Sequence, residues 1–396
     1  MVMEADSQTL SLPQDIITDI LKRLPVKTLI RFQCVCKSWK DLIKSSSFVA
    51  EQLHCTTPFL LFSRSRDFSL GHGDCSLGLR LLDCNLQIRE ELPEPPLIID
   101  PLNHAIVVCS SNGLLCLRIS MCRSCKQELP PSLIVWNPAI FEPLVLPPTS
   151  LIVNYRGNFF VGFGFSPIIN DHKVVMIWFS AESFGASRAE VYSLSSCSWK
   201  VVECGLLDGM CLEFQTVTAN GSMFWIGSKK CVNGDGGTRT DLKIVSFNIT
   251  TEVFTLIPMP SHSFSFYRLA VCEKKLCLIA APSASSSSSS PGSGSKIHWW
   301  VMEEDRCNWV KKYISCPLSC ALSPVTIWKN EIVCYVGGSV RVTEFAGVND
   351  EPNIALLNLT TGGYKLFVFR ERYIAINHVE SLVPVRGKKY SCTWTS

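Results

Sequence analysis

Charge is scarce in this sequence: Asp, Glu, Lys and Arg together supply only 18% of its 396 residues. The 37 basic side chains nearly cancel the 34 acidic ones and are spread along the chain. It therefore lacks the concentrated basic stripe with which proteins grip nucleic acid. Long hydrophobic runs are missing too; none approaches the roughly 18 residues that a bilayer crossing demands. The opening MVMEADSQTLS has two acids, no basic n-region and no apolar h-region, so a secretory signal is not expected. These absences predict a protein of the cytoplasm and/or nucleus, with neither nucleic acid nor membrane as a partner. Enzyme motifs are equally scarce. There is no GxxxxGK phosphate loop, no GxSxG elbow and no HExxH, and GFGFSP lacks the glycine spacing of a dinucleotide site. The seven histidines, from His54 to His378, are scattered. No catalytic residue and no cofactor are expected.

What the chain does have is 47% hydrophobic residues, enough for a large core, and 20 cysteines. Without an export signal the cysteines are expected to be reduced, and Cys109, Cys116, Cys277 and Cys334 sit inside apolar runs as small buried hydrophobes would. Cys122 and Cys125 make a CxxC, and Cys316 and Cys320 a CxxxC. A structural zinc site needs a second close pair, which neither has, so no metal is expected. Asn220, Asn248 and Asn358 begin sequons, but turn chemistry explains them: Asn tolerates left-handed backbone, and the following hydroxyl caps the turn.

Residues 12 to 49 carry helical periodicity. In LPQDIITDILKRLP, Ile16, Ile17, Ile20, Leu21 and Leu24 share one face at about 3.6 residues per turn. Pro13 suits a first turn; Pro25 stops this helix and opens VKTLIRF; Val35, Trp39, Leu42 and Ile43 mark a third. Three short helices are expected within a domain spanning 10–53, after a disordered tail at 1–9. About forty residues rarely hold a stable core alone. Yet Leu12, Ile16, Ile20, Leu24, Val26, Leu29, Ile30, Phe32, Val35 and Trp39 exceed what one side of such a cluster can hide. The surplus marks either a partner site or a face packed on the rest of the chain.

From residue 55 onward the pattern becomes short apolar runs broken by Gly, Asn, Pro and Ser, which read as strands. A repeat emerges when hairpin-like segments are aligned on the polar residue after the first run. Asp83, Asn137, Ser193, Asn248, Glu303 and Asn358 follow one another at intervals of 54, 56, 55, 55 and 55. An aromatic stands six positions later in four copies, at Trp199, Phe254, Trp309 and Tyr364; Arg89 and Pro143 break the rule. Six units of about 55 residues, each with room for four strands, predict an all-β domain over 54–390 built as a six-bladed β-propeller, followed by a tail at 391–396. A β-sandwich is the alternative, though it would not require a fixed period. PFLLFS near residue 60 and HVESLVPV near 380 are left over and are expected to close the ring in one blade. The serine-rich stretch at 282–296 is expected to be an inserted loop, and it and the 120–132 segment are candidate contact loops.

These residues carry a resemblance. Leu12–Pro13, Ile20–Leu21, Leu24–Pro25–Val26, Leu29 with Arg31–Phe32, and Val35–Cys36–Lys37–Ser38–Trp39 resemble the F-box motif along nearly its whole length. The remainder, through SSNGLLCL, VWNPAIFEPLVLP, FVGFGFSP, ANGSMFWI and HVESLV, resembles the F-box-associated domain of plant F-box/kelch-repeat proteins. The resemblance implies the substrate-recognition subunit of an SCF-type cullin–RING ubiquitin ligase. Its helices would dock on a Skp-type adaptor and, through it, on cullin and a RING protein, while the propeller holds an unidentified protein substrate. Such a subunit is not an enzyme. By the same resemblance the adaptor contacts fall on Leu12, Pro13, Ile16, Ile20, Leu21, Leu24, Pro25, Val26, Leu29, Ile30, Val35 and Trp39, some of which must instead form the cluster's own core. Leu12, Pro13, Leu24, Pro25 and Val26 sit at helix junctions and are expected to face outward. Substrate-binding residues are not legible, and a regulatory F-box scaffold working outside the ligase would have the same sequence.

Overall fold

The computed structural model describes residues 12–64, 78–83, 85–95, 103–121, 132–149, 159–179, 186–232, 238–261, 263–264, 266–281, 295–303, 308–316, 322–336, 353–369 and 373–385. Four helices, rather than three, come first: α1 (Gln14–Leu21), α2 (Val26–Phe32), α3 (Lys37–Lys44) and α4 (Ser46–Cys55). Pro13 and Pro25 stand immediately before α1 and α2 with φ of −53° and −57°, where a missing N–H costs nothing. At α3 the Cys36 thiol accepts from the Trp39 N–H at 3.4 Å, and at α4 the Ser45 hydroxyl accepts from the Phe48 N–H at 3.3 Å. The serine run at 45–47 thus starts a helix that the sequence pattern had not suggested, and the helical region ends at Cys55.

Six four-stranded antiparallel meanders follow, the predicted propeller. Blade 2 is Asn103–Ser111, Leu114–Met121, Ser132–Asn137 and Glu142–Val145; blade 3 is Phe159–Ser166, Asp171–Phe179, Ala186–Ser193 and Ser198–Val202. In blade 4 the innermost strand is split into Met210–Leu212 and Val217–Ala219, ahead of Ser222–Val232, Thr238–Asn248 and Val253–Pro258. Blade 5 is Phe266–Cys272, Lys275–Ala281, Ser295–Met302 and Trp309–Cys316; blade 6 is Leu322–Trp328, Glu331–Val336, Ile354–Asn358 and Tyr364–Phe367. Blade 1 joins the two ends of the chain: Tyr373–His378 is its innermost strand, paired with Phe59–Arg64, then Arg80–Leu82 and Ile88–Glu91. The closing strand is therefore YIAINH, and of HVESLVPV only His378 lies in it. The serine-rich stretch also ends earlier than expected, because Ser295 and Lys296 already belong to a blade 5 strand; residues 282–294 and 122–131 lie outside the described residues.

Each sheet is apolar on both faces, so a blade can be satisfied only between two neighbours. One core cluster fills each of the six seams. Val175, Ile177 and Val191 of blade 3, for example, meet Met223, Trp225 and Phe247 of blade 4. The final seam, where Leu60, Phe62 and Leu82 of blade 1 meet Trp328, Val333 and Leu356 of blade 6, closes the ring. A β-sandwich has no such cycle of seams. Gly162 explains one glycine of GFGFSP: a side chain there would collide with Trp225 across the blade 3–4 seam.

The 55-residue repeat has a local cause. In each blade the aligned polar residue sits at the turn between third and fourth strands, and in all but blade 5, where Glu303 instead accepts from Lys275 Nζ at 3.1 Å, its side chain caps that turn. Asn248 Oδ1 accepts from the N–H groups of Thr250 and Thr251, both at 2.9 Å, and Asn358 Oδ1 does the same for Thr360 and Thr361. Asp83 accepts from Asn85 and Gln87, Asn137 from Ala139, and Ser193 from Ser196. Asn248 and Asn358 act through these bonds and not through left-handed backbone, which falls instead on Glu252 and Gly362. Asn220 does take the left-handed form, at φ 47°, in the tight turn between the first and second strands of blade 4. The aromatic six positions on packs across the hairpin, as Trp199 does on Tyr192 and Phe254 on Phe247. In blade 2 only the third-strand ring is kept: Trp136 stands opposite Pro143.

Buried imidazoles make this fold acid-sensitive. His172 packs against Phe163 and Phe165, and burial pushes its pKa down to about 3; burial pushes His378 down to about 4. Unfolded histidine binds a proton near pH 6.5 and these folded ones do not, so the stability present at pH 7 is lost as the pH falls below about 6.5. Each should cost about 1.4 kcal/mol per pH unit, or about 3 kcal/mol together at pH 5.5. Glu213 and Glu380, whose pKa values burial raises, act in the opposite sense, and the histidines are read between pH 7 and 5.5. Urea midpoints over that window should fall less steeply in His172→Phe than in the unaltered chain; equal slopes would contradict the assignment.

Candidate functional site

The third-to-fourth strand turns of the six blades, and the first-to-second turns of blades 2 to 6, lie at one end of the ring, and the helical cluster sits there. Only Thr56, Thr57 and Pro58 separate α4 from the first strand of the ring. Leu21, Val26, Leu29, Ile43 and Phe48 form the cluster's core, completed by Ala139 from a blade 2 turn and Leu382 from the chain's last described segment. Lys27 of α2 pairs with Glu90 of blade 1. Glu380 lies in the same group; burial and the adjacent Glu90 push its carboxyl pKa up.

The segment after the closing strand makes this junction. Asn137 Nδ2 donates to the carbonyls of Ser381 and Val383 at 3.1 and 2.8 Å, and Ser381 Oγ donates to the Asn112 carbonyl at 2.8 Å. Gly113 is required beneath it, being left-handed at φ 80° and leaving no room for a side chain under Ser381. Beyond His378 the segment VESLV is thus a clamp, two of whose carbonyls are held by a side-chain amide, and not a strand.

The twelve residues assigned by resemblance divide into three groups. Leu12, Ile16, Ile20 and Val35 are exposed at 57%, 44%, 49% and 60%, and Pro13 and Pro25 are exposed beside them. Leu24, Ile30 and Trp39 are half-buried at the cluster's margin. Leu21, Val26 and Leu29 are inside the core. The expectation that Val26 faces outward is corrected: the first residue of α2 turns toward the core and is 1% exposed. Sequence reading missed Phe48 of α4, Ala139 and Leu382, and only the NPAIF turn hinted at the second of these. The helical region is thus partly packed on the following domain and still keeps an apolar outer face.

That face has the chemistry of an interface core. Ile16 and Ile20 form a shallow groove with Asp15, Asp19 and Arg23. Asp19 pairs with Lys22 and Arg23, at 2.5 and 3.1 Å, and the hydrogen bond from Lys22 holds its pKa down. The cysteines flagged by sequence are elsewhere: Cys109, Cys116, Cys277 and Cys334 are buried in the blades, and burial pushes the Cys109 thiol up to about 11. Cys122, Cys125 and Cys320 lie outside the described residues.

Comparison with known proteins matches residues 9–50 to the F-box domain and residues 101–345 to the F-box associated beta propeller domain. Among curated relatives, the putative F-box protein At3g10430 of Arabidopsis thaliana is 27% identical over 62% of this chain and 61% of its own length. The Arabidopsis F-box protein At3g07870 is 27% identical over 81% of this chain and 78% of its own, and the Arabidopsis F-box protein CPR1 28% over 63% and 60%. The chain spans about three fifths of the length of the first relatives it matches. With four helices at the F-box position and six blades behind them, the chain belongs to the family of F-box proteins that carry an F-box associated β-propeller domain.

Proposed function

We propose that this chain is the substrate-recruiting subunit of an SCF-type cullin–RING ubiquitin ligase, acting in the cytoplasm and/or nucleus. The outer face of α1 with Pro25 and Val35 docks on a Skp-type adaptor, which brings cullin and the RING protein, and the propeller holds the protein to be modified. The observation that carries the reading is the exposed row Leu12, Ile16 and Ile20 on a cluster whose core is already complete. A contiguous apolar surface of that kind marks a site where a partner protein binds. Catalysis here is proximity: the assembly raises the local concentration of substrate lysines near the charged conjugating enzyme, and no side chain of this chain breaks or forms a bond.

The Lys27–Glu90 pair and the Leu382 plug support the same reading, since they fix the docking face relative to the ring and so set where a bound protein points. The test is co-expression of the full tagged chain with a Skp-type adaptor, followed by reconstitution with cullin and RING. The adaptor should co-purify in stoichiometric amount, and the complex should build ubiquitin chains on a protein captured by the propeller. A chain that folds and leaves the adaptor in the flow-through would end the proposal.

A further inference from the structure

The opposite end of the ring holds a built feature that the docking role does not use. The innermost strand of blade 4 is split: pairing stops at Leu212↔Gly227 and resumes at Val217↔Phe224, so residues 213–216 face only Trp225 and Ile226. Two threonines pin the surplus residues to blade 3, Thr216 Oγ1 donating to the Val161 carbonyl at 2.9 Å and Thr218 Oγ1 to that of Phe163 at 2.8 Å. The result is to display Phe214, 66% exposed, with its ring 4.8 Å from that of Phe160. Strand irregularities of this sort re-aim side chains, and they gather where something binds.

A cation lies beside it. The Arg118 guanidinium, from blade 2, sits 5.3 Å from the ring centre of Phe159 and 5.8 Å from that of Phe214. Among the described residues no carboxylate pairs with it, and burial alone draws its pKa below the ordinary arginine value. The nearby Glu213 is committed elsewhere, accepting from Arg268 Nη1 of blade 5 at 3.0 Å. Arg268 is thereby neutralised, whereas Arg118 has two rings and no carboxylate against it among the described residues. Contact with ring faces leaves the rim of a guanidinium free to donate in its own plane, and a carboxylate matches that fork.

We infer that Arg118, Phe159 and Phe214 form a docking site for a peptide segment of the protein substrate, one carboxylate on Arg118 and a neighbouring aromatic or aliphatic side chain on Phe214. With one cation and one exposed ring, the site selects a single acid beside an apolar residue. This deepens the substrate-receptor reading and rests on it. It also places the captured segment at the end of the ring away from the helices.

The experiment pans a displayed random heptapeptide library on the full chain, on Arg118→Met and on Phe214→Ser, with adaptor capture measured on all three. Met keeps the apolar stem of Arg118, and Phe214 is exposed, so all three should fold and capture adaptor alike. The unaltered chain should enrich peptides with Glu or Asp next to Phe, Tyr, Leu or Ile. Changing the selected acid to its amide should weaken binding at least tenfold, as should either variant. Enriched peptides without the acid, equal binding by Arg118→Met, or no enrichment at all would overturn the site. Peptide selection without adaptor capture would leave the site standing and remove the ligase reading.

Discussion

Replacing Ile16 with Asp and Ile20 with Lys together should reduce capture of a Skp-type adaptor at least a hundredfold while leaving the chain folded. Both side chains are about half exposed on α1, so removing them opens no cavity, and surface changes of this kind usually shift stability by within about 0.5 kcal/mol. The signs are chosen to suit the helix: a negative charge in its first turn and a positive one in its last both oppose the macrodipole favourably. In a docked complex the same charges would be stripped of water without partners, a cost of several kcal/mol that an apolar interface cannot offset. Titration calorimetry with purified adaptor measures the loss, and thermal melting checks the fold. Val310→Asp on the outer strand of blade 5, which is also exposed, is the control and should bind normally. Truncation before residue 54 is a poorer test, because it would uncover Ala139 and Leu382.

Ending the chain before Tyr373 should abolish cooperative folding. The lost residues supply the innermost strand of blade 1, the Asn377 amide that donates to the Ile327 carbonyl of blade 6 at 2.7 Å, and the His378 bond to Ser110 of blade 2 at 2.9 Å. They also supply the Ser381 and Val383 acceptors and the Leu382 plug. Without them two seams lose a wall: Ile376 goes from the blade 1–2 core and Ala375 from the blade 6–1 core. An open arc of blades exposes two apolar faces, and the loss should exceed the roughly 5–15 kcal/mol that holds a domain together. Near-ultraviolet circular dichroism should flatten and dye binding to exposed apolar surface should rise. A truncated chain melting as one sharp transition within a few degrees of the full one would show that ring closure is dispensable.

Much of this architecture was legible because its signals are local. The cap at Asn248 or Asn358 depends on residues two and three positions on, so the spacing of polar turn residues revealed six blades before any contact was known. Pro143 breaks the aromatic rule, and of that cross-hairpin pair in blade 2 only Trp136 carries a ring. Errors arose where distant residues decide. Val26 turns inward because Ala139 and Leu382 complete the pocket it fills, and neither is near it in sequence. LVPV looked like a strand, but its backbone partners are a side-chain amide of blade 2. The fourth helix was hidden because a serine run is both a linker signal and a cap, and α4 buries too little to declare itself. The Arg118 site has no linear signature at all, since blades 2, 3 and 4 each contribute one ring or one charge.

The clamp has a consequence for the order in which the molecule matures during synthesis. The helices leave the ribosome first, but the pocket between Leu21, Val26 and Phe48 stays open until Leu382 arrives, more than three hundred residues later. An interrupted translation product would therefore present the hook with its centre unfilled, and only a finished chain would offer the hook fully formed.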